Sequence, residues 1–475
     1  MSLLEAAREH LDALSRANDA FSKHYPGEPA ARQPVHTVYG GAHLFKAKTT
    51  RRLGELALEA FRTYGSDPVE FALGVGFVPA PALSGVDPGT LERGYREDPE
   101  GLRQRHPAQW LAARVHDRVR QKLEREAVED FRIDFEDGFG ARSDAEEDAA
   151  AKTAAEEVAR AMHEGALPPF LGIRIKTLSQ EWKLRAARTL EVFLDTLLPA
   201  TAGRLPDNFV ITLPKVTHGA QPRTFVRLLE LCERRHGLAA GTLKLELMIE
   251  ATQALLGPDG RCPLPDFLAA CEGRCVGAHL GTYDFTASCN ITAVHQTMLH
   301  PMCDLAKGLM LLAYAGTGIF LSDGATNVMP VPPHRSQNLT AVELERNRSV
   351  VHAAWQIAHR HNTHSLQGGY YQGWDLHPAQ LPVRYASCYA FFLEGFALSA
   401  ERLRNFVEKA AQATLVGDVF DDAATGQGLL NYFIRAQNCG AVDASEIAQT
   451  GLTQDEFGLR SFAKILAARK TRLGG

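Results

Sequence analysis

Short apolar runs that predict β-strands recur along the chain, and stretches with helical periodicity separate them. Each run is five to eight residues long, which is typical of buried strands. The runs are Val35–Gly40, Phe131–Phe135, Leu171–Ile175, Phe209–Lys215, Leu243–Glu250, Val276–Leu280, Gly318–Ser322 and Tyr370–Leu376. Alternation of strand and helix predicts an α/β fold with a parallel sheet, and eight repeats predict a closed (β/α)₈ TIM barrel.

The helical patterns and their interruptions predict how the chain is organised. The clearest helices are Thr49–Thr63, Asp144–His163, Gln180–Leu198, Ala220–Arg235 and Ser349–His361. Residues 66–127 are rich in Pro, Gly and charge, and we interpret them as an insertion after the first βα unit. We expect an N-terminal helical lead (1–33), a barrel (34–384) and a C-terminal helical domain (385–475). A doubly wound open sheet is the competing architecture, but no predicted strand precedes a nucleotide-binding glycine motif.

Composition and charge exclude several classes of function. The 475 residues are 45% hydrophobic and 23% charged, as in an ordinary globular enzyme. The net charge of −5 offers no field that would attract nucleic acid or an anionic membrane. The longest apolar run, Gly308–Leu321, is shorter than the ~20 residues of a membrane span, and we expect a buried helix and strand there. The amphipathic N-terminus, with Glu5 and Asp12, does not resemble a signal peptide, so we expect a cytoplasmic protein.

Charged residues stand at the carboxyl ends of the predicted strands, where barrel enzymes carry their chemistry. They are Asp134, Glu136 and Asp137 after the second strand, Arg174 and Lys176 after the third, Lys215 after the fourth, Glu250 after the fifth, and Asp284 beyond the sixth. Side chains alternate along a strand, which predicts Asp134 and Glu136 on one face and Asp137 on the other. Glu250 and Asp284 on neighbouring strands can hold one Mg²⁺ that keeps positions for water and substrate oxygens. The alternative for each residue is a salt bridge or an exposed charge at the rim.

Six segments resemble motifs of a known superfamily. They are IDFEDGFG (Ile133–Gly140), LPKV (Leu213–Val216), MIEATQALL (Met248–Leu256), GAHLGTYDFTAS (Gly277–Ser288), GYYQGWDLHPAQLP (Gly369–Pro382) and FDDAATGQGLLNYF (Phe420–Phe433). In this order and spacing they resemble the malate synthase and citrate lyase β-subunit (HpcH/HpaI aldolase-like) superfamily, and malate synthase most in motif. The resemblance implies a Mg²⁺-dependent barrel that acts on acyl-CoA and oxoacids.

The resemblance also implies roles for individual residues. Glu250 and Asp284 would bind Mg²⁺, and Asp134 and Glu136 would lie behind the metal, orienting bound water and the arginine. Arg174 would stabilise the developing enolate or oxyanion; the alternative is that it only pairs with Asp134.

The C-terminal motif implies the catalytic base. Asp422 would take the proton from the acyl-CoA methyl group, whereas without the resemblance a helix N-cap is the simpler interpretation. Whether Asp422 acts on its own barrel or on a neighbour's is open, as is homo-oligomer formation. Weaker candidates for contacts with substrate or CoA are Lys176, Lys215, Trp374, His377 and Pro378.

The function that these expectations favour is a Mg²⁺-dependent Claisen condensation of acetyl-CoA with glyoxylate to malate. The alternatives are a lyase for malyl-CoA or another β-hydroxyacyl-CoA, and a CoA-independent oxoacid aldolase that uses the same metal. A non-catalytic sensor of acyl-CoA or oxoacids is a further alternative. The complete set of Glu250, Asp284, Arg174 and Asp422 is evidence against a sensor.

Overall fold

Eight parallel strands close into a barrel in the computed structural model, which describes residues 2–29, 31–410 and 423–473. Each strand pairs with its sequence neighbours, and the first pairs with the last. The strands are β1 (His36–Gly41), β2 (Asp130–Asp134), β3 (Phe170–Arg174), β4 (Val210–Leu213), β5 (Lys244–Ile249), β6 (Cys275–Leu280), β7 (Phe320–Ala325) and β8 (Gln372–Asp375). The predicted (β/α)₈ barrel is confirmed, with strand ends shifted by a few residues.

Helices cover the outside of the barrel and both ends of the chain. In chain order the α-helices are α1 (Leu3–Ala6), α2 (Arg8–His24), α3 (Thr49–Tyr64), α4 (Pro68–Val75), α5 (Pro88–Glu97), α6 (Pro99–Arg105), α7 (Pro107–Glu126), α8 (Asp144–Glu164), α9 (Lys183–Ala200), α10 (Ala220–His236), α11 (Leu264–Ala270), α12 (Thr282–Ser288), α13 (Pro301–Tyr314), α14 (Ala341–Gln367), α15 (Leu381–Glu394), α16 (Phe396–Ala410), α17 (Ala423–Asn438), α18 (Ala444–Ile447), α19 (Gln454–Gly458) and α20 (Phe462–Leu473). Helices α4 to α7 form the stretch between the first βα unit and β2. Among the described residues, no helix combines the length and apolar character that crossing a membrane requires.

The inside of the barrel below its mouth holds charged side chains that neutralise one another. Arg132 of β2 donates to Glu246 of β5 at 2.7 and 3.0 Å and also pairs with Asp130. His279 of β6 lies 3.0 Å from Glu246 through Nε2 and accepts from the indole of Trp374 at 3.0 Å through Nδ1. These groups are deeply buried, where an unpaired charge would be strongly destabilising, and the pairing links β2, β5, β6 and β8 across the barrel.

The C-terminal helices pack at the N-terminal end of the barrel. Helix α15 follows β8 and returns antiparallel to it, so the chain leaves the barrel at that end. Asn438, at the end of α17, exchanges hydrogen bonds of 3.2 and 3.0 Å with the backbone of Gln33, just before β1. The Gln33 side chain in turn donates to Leu321 O of β7 and to Gln372 of β8, each at 3.1 Å.

Helix α13 corrects one expectation from the sequence. The run Gly308–Leu321 was expected to form a buried helix and strand. The strand part, in β7, lies in the barrel, and Met310 and Tyr314 of α13 are buried. Leu312 is 84% exposed and Leu305, just before the run, is 53% exposed, so only one side of the helix is buried. An apolar run in a helix predicts that the helix packs against another surface. It does not predict whether that surface belongs to the same chain.

Candidate active site

A buried ion pair joins the carboxyl ends of β2 and β3. Arg174 donates to Asp134 through Nε at 2.7 Å and through Nη2 at 2.5 Å. The backbone N–H groups of Glu136 and Gly138 also donate to Asp134, at 3.0 and 2.7 Å. This bidentate pairing fixes the plane of the guanidinium. Arg174 therefore has the partner that the alternative interpretation expects, and its Nη1 remains for other contacts, including a hydrogen bond of 3.5 Å donated to Met248 Sδ.

The second edge of Arg174 faces the mouth of the barrel. Its Nη1 lies 3.4 Å from Glu136 Oε2 and 3.6 Å from Asp137 Oδ2. The ring of Tyr39, from β1, stacks 4.9 Å from the guanidinium carbon. The Tyr39 hydroxyl is buried and finds no hydrogen-bond partner in the part of the chain that the structure describes. Arg174 is thus held from below by Asp134 and from one side by an aromatic ring, with its remaining donors directed towards carboxylates.

Asp137 lies on the same side of the site as Glu136, which corrects the prediction that the two face apart. Strand β2 ends at Asp134, and residues 136–140 form a turn closed by hydrogen bonds from Phe139 and Gly140 to Glu136 O, each 3.1 Å. Side-chain alternation holds only within a strand, so it does not extend to residue 137. Both carboxylates contact the ammonium of Lys215, at 2.5 and 2.9 Å.

Lys215, at the end of β4, connects four carboxylates from the ends of three other strands. Its backbone has a φ of +52°, uncommon outside glycine, and its N–H donates to Glu250 Oε1 at 2.8 Å. The ammonium also lies 3.7 Å from Asp284. Partial burial lowers the Lys215 pKa, but the hydrogen bonds and charges of Glu136 and Asp137 outweigh it and hold the pKa above its ordinary value. The lysine considered for substrate or CoA contacts is therefore a permanent cation inside the carboxylate cluster.

Glu250 and Asp284 come together at the ends of β5 and β6. Glu250 is 3% exposed, and burial, followed by the charge of Asp284, raises its pKa to about 8. The Asp284 side chain is 47% exposed at the rim. Gly281 makes room for this arrangement, since a Cβ there would lie 2.3 Å from Glu250 Oε2. The structure therefore brings together the two carboxylates that the sequence suggests as metal ligands, and their role as ligands stays a prediction.

The charge balance of this carboxylate cup favours an added cation. The cup is formed by Glu136, Asp137, Glu250 and Asp284. The Lys215 ammonium lies among them, and Arg174, which also pairs with Asp134, reaches Glu136 and Asp137 at 3.4 and 3.6 Å, so two cations face five carboxylates. Burial, then the adjacent Asp137, raises the pKa of Glu136 to about 7. Within the described ranges, no group of three or more His, Cys, Asp or Glu side chains could hold an ion. Two carboxylates with the remaining positions left to water and substrate fit Mg²⁺.

Lys176 lines a cavity of about 390 Å³ together with Glu136, Asp137 and Lys215, but the partners of its ammonium lie outside the cup. Its ammonium donates to Phe135 O at 2.8 Å and lies 3.3 Å from Glu147 of α8. The residue is 7% exposed, and Trp182 covers it, with the ammonium 5.3 Å from the ring. These contacts indicate a structural role for Lys176, which links the ends of β2 and β3 to α8.

Trp374, His377 and Pro378 lie at the end of β8. Trp374 is fixed by its indole hydrogen bond to His279 and by the ring of Tyr39, 4.7 Å away. His377 and Pro378 line a largely apolar cavity of about 200 Å³ together with Tyr39 and Leu44. Burial, and then the charge of Arg335, lowers the pKa of His377, so this imidazole is neutral near pH 7. The two residues therefore border an uncharged pocket beside the mouth.

Asp422, the base that the resemblance implies, lies outside the described residues. Helix α17 begins at the next residue, Ala423. The contacts of its far end with Gln33 are at the N-terminal end of the barrel, opposite to Glu250 and Asp284. The described C-terminal helices do not approach the mouth of the barrel, because α15 carries the chain to the other end.

Three features of the site were missed by reasoning from the sequence. Tyr39 carried no charge and stood inside an ordinary apolar strand, so only its place beside Arg174 identifies it. Gly281 directly precedes the Thr-Tyr-Asp segment, and a glycine there was a usable signal of close packing. The role of Lys215 depends on its left-handed backbone, which the Leu-Pro-Lys sequence does not reveal.

Comparison with known proteins places the chain in a family. The family model described as "Domain of unknown function (DUF6986)" matches residues 14–465. The chain belongs to the DUF6986 family. No curated protein matches it. Among solved structures, the lead(II) complex of Haloferax volcanii malate synthase is 18% identical, covers 69% of this chain and 81% of its own, and has a TM-score of 0.40.

A second structure of the same enzyme has a similar sequence identity, coverage and TM-score. Its magnesium and glyoxylate complex is 16% identical to this DUF6986 chain, with coverages of 71% and 86% and a TM-score of 0.39. At such identity and score the similarity assigns no reaction. The function must therefore be inferred from the side chains at the mouth of this barrel.

The pKa of Glu250 predicts how the stability of the metal-free protein depends on pH. A carboxyl that titrates near 8 when folded and near 4.5 when unfolded stabilises the fold fully below pH 4.5 and loses that contribution as pH rises through 8. In the presence of a chelator, the free energy of unfolding should fall by up to about 1.4 kcal/mol per pH unit between about pH 4.5 and 8 because of Glu250. Urea unfolding of Glu250→Gln should show a shallower slope, and the exposed control Glu345→Gln the wild-type slope. Equal slopes for wild type and Glu250→Gln would contradict the burial of this carboxylate.

Proposed function

We propose that this protein catalyses a Mg²⁺-dependent Claisen condensation of an acyl-CoA with a 2-oxoacid, with acetyl-CoA and glyoxylate giving malate and CoA. The observation that carries the proposal is the carboxylate cup, which has too few cations of its own and lies beside an arginine fixed by an ion pair. The order of the six motifs along the chain gives independent support. The proposal makes the chain an acyltransferase that forms carbon–carbon bonds.

Glu250 and Asp284 are the residues that would hold the metal. Both donate carboxylate oxygens, which Mg²⁺ prefers, and Glu250 is fixed by the N–H of Lys215. When bound, Mg²⁺ supplies Lewis acidity and binds the carboxylate and carbonyl oxygens of an oxoacid. Glu136 and Asp137, held by Lys215, add negative charge around that position and provide acceptors for water.

Arg174 is assigned to the oxygen of the thioester. Asp134 holds two of its donors, so Nη1 can be aimed at the mouth without reorganisation. Removing the proton from the acetyl methyl group moves negative charge onto the thioester oxygen, and a fixed donor stabilises that charge as it develops. Preorganised donors of this kind contribute about 3–4 kcal/mol to the stability of a transition state.

Asp422 is assigned as the base that removes the methyl proton. The support is the resemblance of Phe420–Phe433 to the C-terminal motif of malate synthases. The carboxylate would take the proton, the methyl carbon would attack the aldehyde carbon of glyoxylate, and water would then cleave the malyl thioester to malate and CoA.

A CoA-independent oxoacid aldolase is the second candidate, and one observation favours it. Lys176 and Lys215, considered as contacts for substrate or CoA, are both engaged inside the protein. An aldolase needs the metal, the oxoacid and Arg174, and it has no need of a phosphate site. Glu136, with a pKa near 7, would then be a carboxylate suited to proton transfer.

Release of free thiol from acetyl-CoA separates these functions. With glyoxylate and Mg²⁺ the purified protein should release thiol and form malate, and omission of either should abolish the signal. Glu250→Gln should lower the rate at least about a hundredfold because it removes a metal ligand, while Glu345→Gln should have no effect. Absence of glyoxylate-dependent thiol would contradict the synthase, and metal-dependent cleavage of a 4-hydroxy-2-oxoacid by the same sample would establish the aldolase.

The adjacent aspartates allow a matched test of the base. Asp422→Asn should reduce turnover by about 10²–10⁴ with little change in KM for glyoxylate, because general-base catalysis contributes on that order. Asp421→Asn changes the same charge one residue away and should retain most activity. Exchange of the methyl protons of acetyl-CoA with deuterated water, followed by NMR, should be lost in Asp422→Asn alone. Full exchange in that variant would assign the base to another residue.

A further inference from the structure

The N-terminal helices carry an apolar stripe that nothing in the described structure covers. Neither α1 nor α2 has a buried residue. We call Leu4, Leu11, Leu14, Phe21 and Tyr25 the N-terminal seam; each is between 41% and 71% exposed. Spacings of three and seven residues place Leu11, Leu14 and Phe21 on one side of α2, with Asn18 interrupting the repeat; Leu4 on α1 and Tyr25 just after α2 extend the stripe at its two ends. A stripe of this kind is typical of a helix that packs against another helix.

Helix α13 offers a second apolar surface of matching kind. Leu305 and Leu312 are exposed and lie two helical turns apart, with Gly308 between them; we call these three residues the α13 face. A Cβ at Gly308 would meet nothing within 4 Å, so no contact within the chain requires a glycine there. Glycine destabilises the interior of a helix relative to alanine. Close approach of another helix would explain why a glycine stands at position 308.

The C-terminal ends of α2 and α13 lie near each other in the folded chain, but the N-terminal seam does not cover the α13 face. Gly27, just after α2, donates to Gly316 O at 2.9 Å, two residues beyond the end of α13. The 17 residues of α2 span about 26 Å and the 14 of α13 about 21 Å, so their lengths are comparable. Because the α13 face stays exposed, α2 does not fold back over it in its own chain.

We propose that the chain forms a twofold-symmetric dimer in which the N-terminal seam of one copy packs on the α13 face of its partner. Each copy offers one surface of each kind, so the contact is made twice and closes. The large side chains of the seam, Phe21 and Tyr25 among them, meet a helix face with a gap at Gly308. Over the two symmetric contacts, each copy contributes the five residues of the seam and the three of the α13 face.

The charges of the N-terminal helices favour a protein partner over a membrane surface. Four acidic and three basic side chains lie between Glu5 and Lys23. Helices that bind anionic lipid carry an excess of Lys and Arg on their polar face. This polar face is close to neutral, which suits the pairing of identical copies.

Mass measurement of the full chain in solution tests the proposal. Sedimentation at micromolar concentration should give twice the chain mass of 52.0 kDa for the wild type. Leu14→Glu in the seam and Leu305→Glu on α13 should each give monomers. The control is Leu231→Glu on α10, which is 55% exposed against 53% for Leu305 and should remain dimeric. A monomeric wild type, or a dimer that resists either substitution, would overturn the proposal.

Cysteine cross-linking shows whether the contact joins two copies. Leu14→Cys and Leu312→Cys chains, mixed and oxidised, should give a covalent dimer that neither variant forms alone and that wild type, with its native cysteines, does not form. Circular dichroism of each variant confirms that it is folded. No cross-link in the mixture, together with a cross-link within single chains that carry both substitutions, would show that α2 packs on its own α13 and overturn the dimer.

Discussion

Four carboxylates, Glu136, Asp137, Glu250 and Asp284, meet at the mouth of the barrel with only one lysine ammonium among them. Taking like charges out of water is unfavourable unless cations neutralise them. This arrangement is electrostatically unfavourable in the protein without a bound cation, and the raised pKa values of Glu136 and Glu250 reflect it. Under the proposed function, a divalent cation held by Glu250 and Asp284 would relieve this repulsion.

The scaffold supplies the positions and the rigidity that this cup requires. A closed parallel barrel brings all its strand ends to one rim, so residues far apart in sequence become neighbours. Behind the rim, Asp134 fixes Arg174, and below it Arg132 and Glu246 neutralise each other inside the barrel. Each functional side chain is therefore held by a charge partner on a different strand.

The sequence predicted the barrel well, because buried parallel strands appear as continuous apolar runs and polar residues mark where they end. Glu250 and Asp284 followed from the same rule. Other features depend on geometry beyond the strands: the left-handed backbone of Lys215 determines its role, and the turn after β2 determines the direction of Asp137. The exposure of Leu312 could not be predicted, since apolar character does not show which chain covers a helix.

The central claim is that the carboxylate cup binds one divalent cation through Glu250 and Asp284. The direct measurement is electron paramagnetic resonance of Mn²⁺, used in place of Mg²⁺, titrated with the protein in the absence of substrates. The account predicts one bound ion per chain in the wild type and loss of this binding in Glu250→Gln and in Asp284→Asn. Equal binding by both variants and the wild type, or no binding by the wild type, would contradict it.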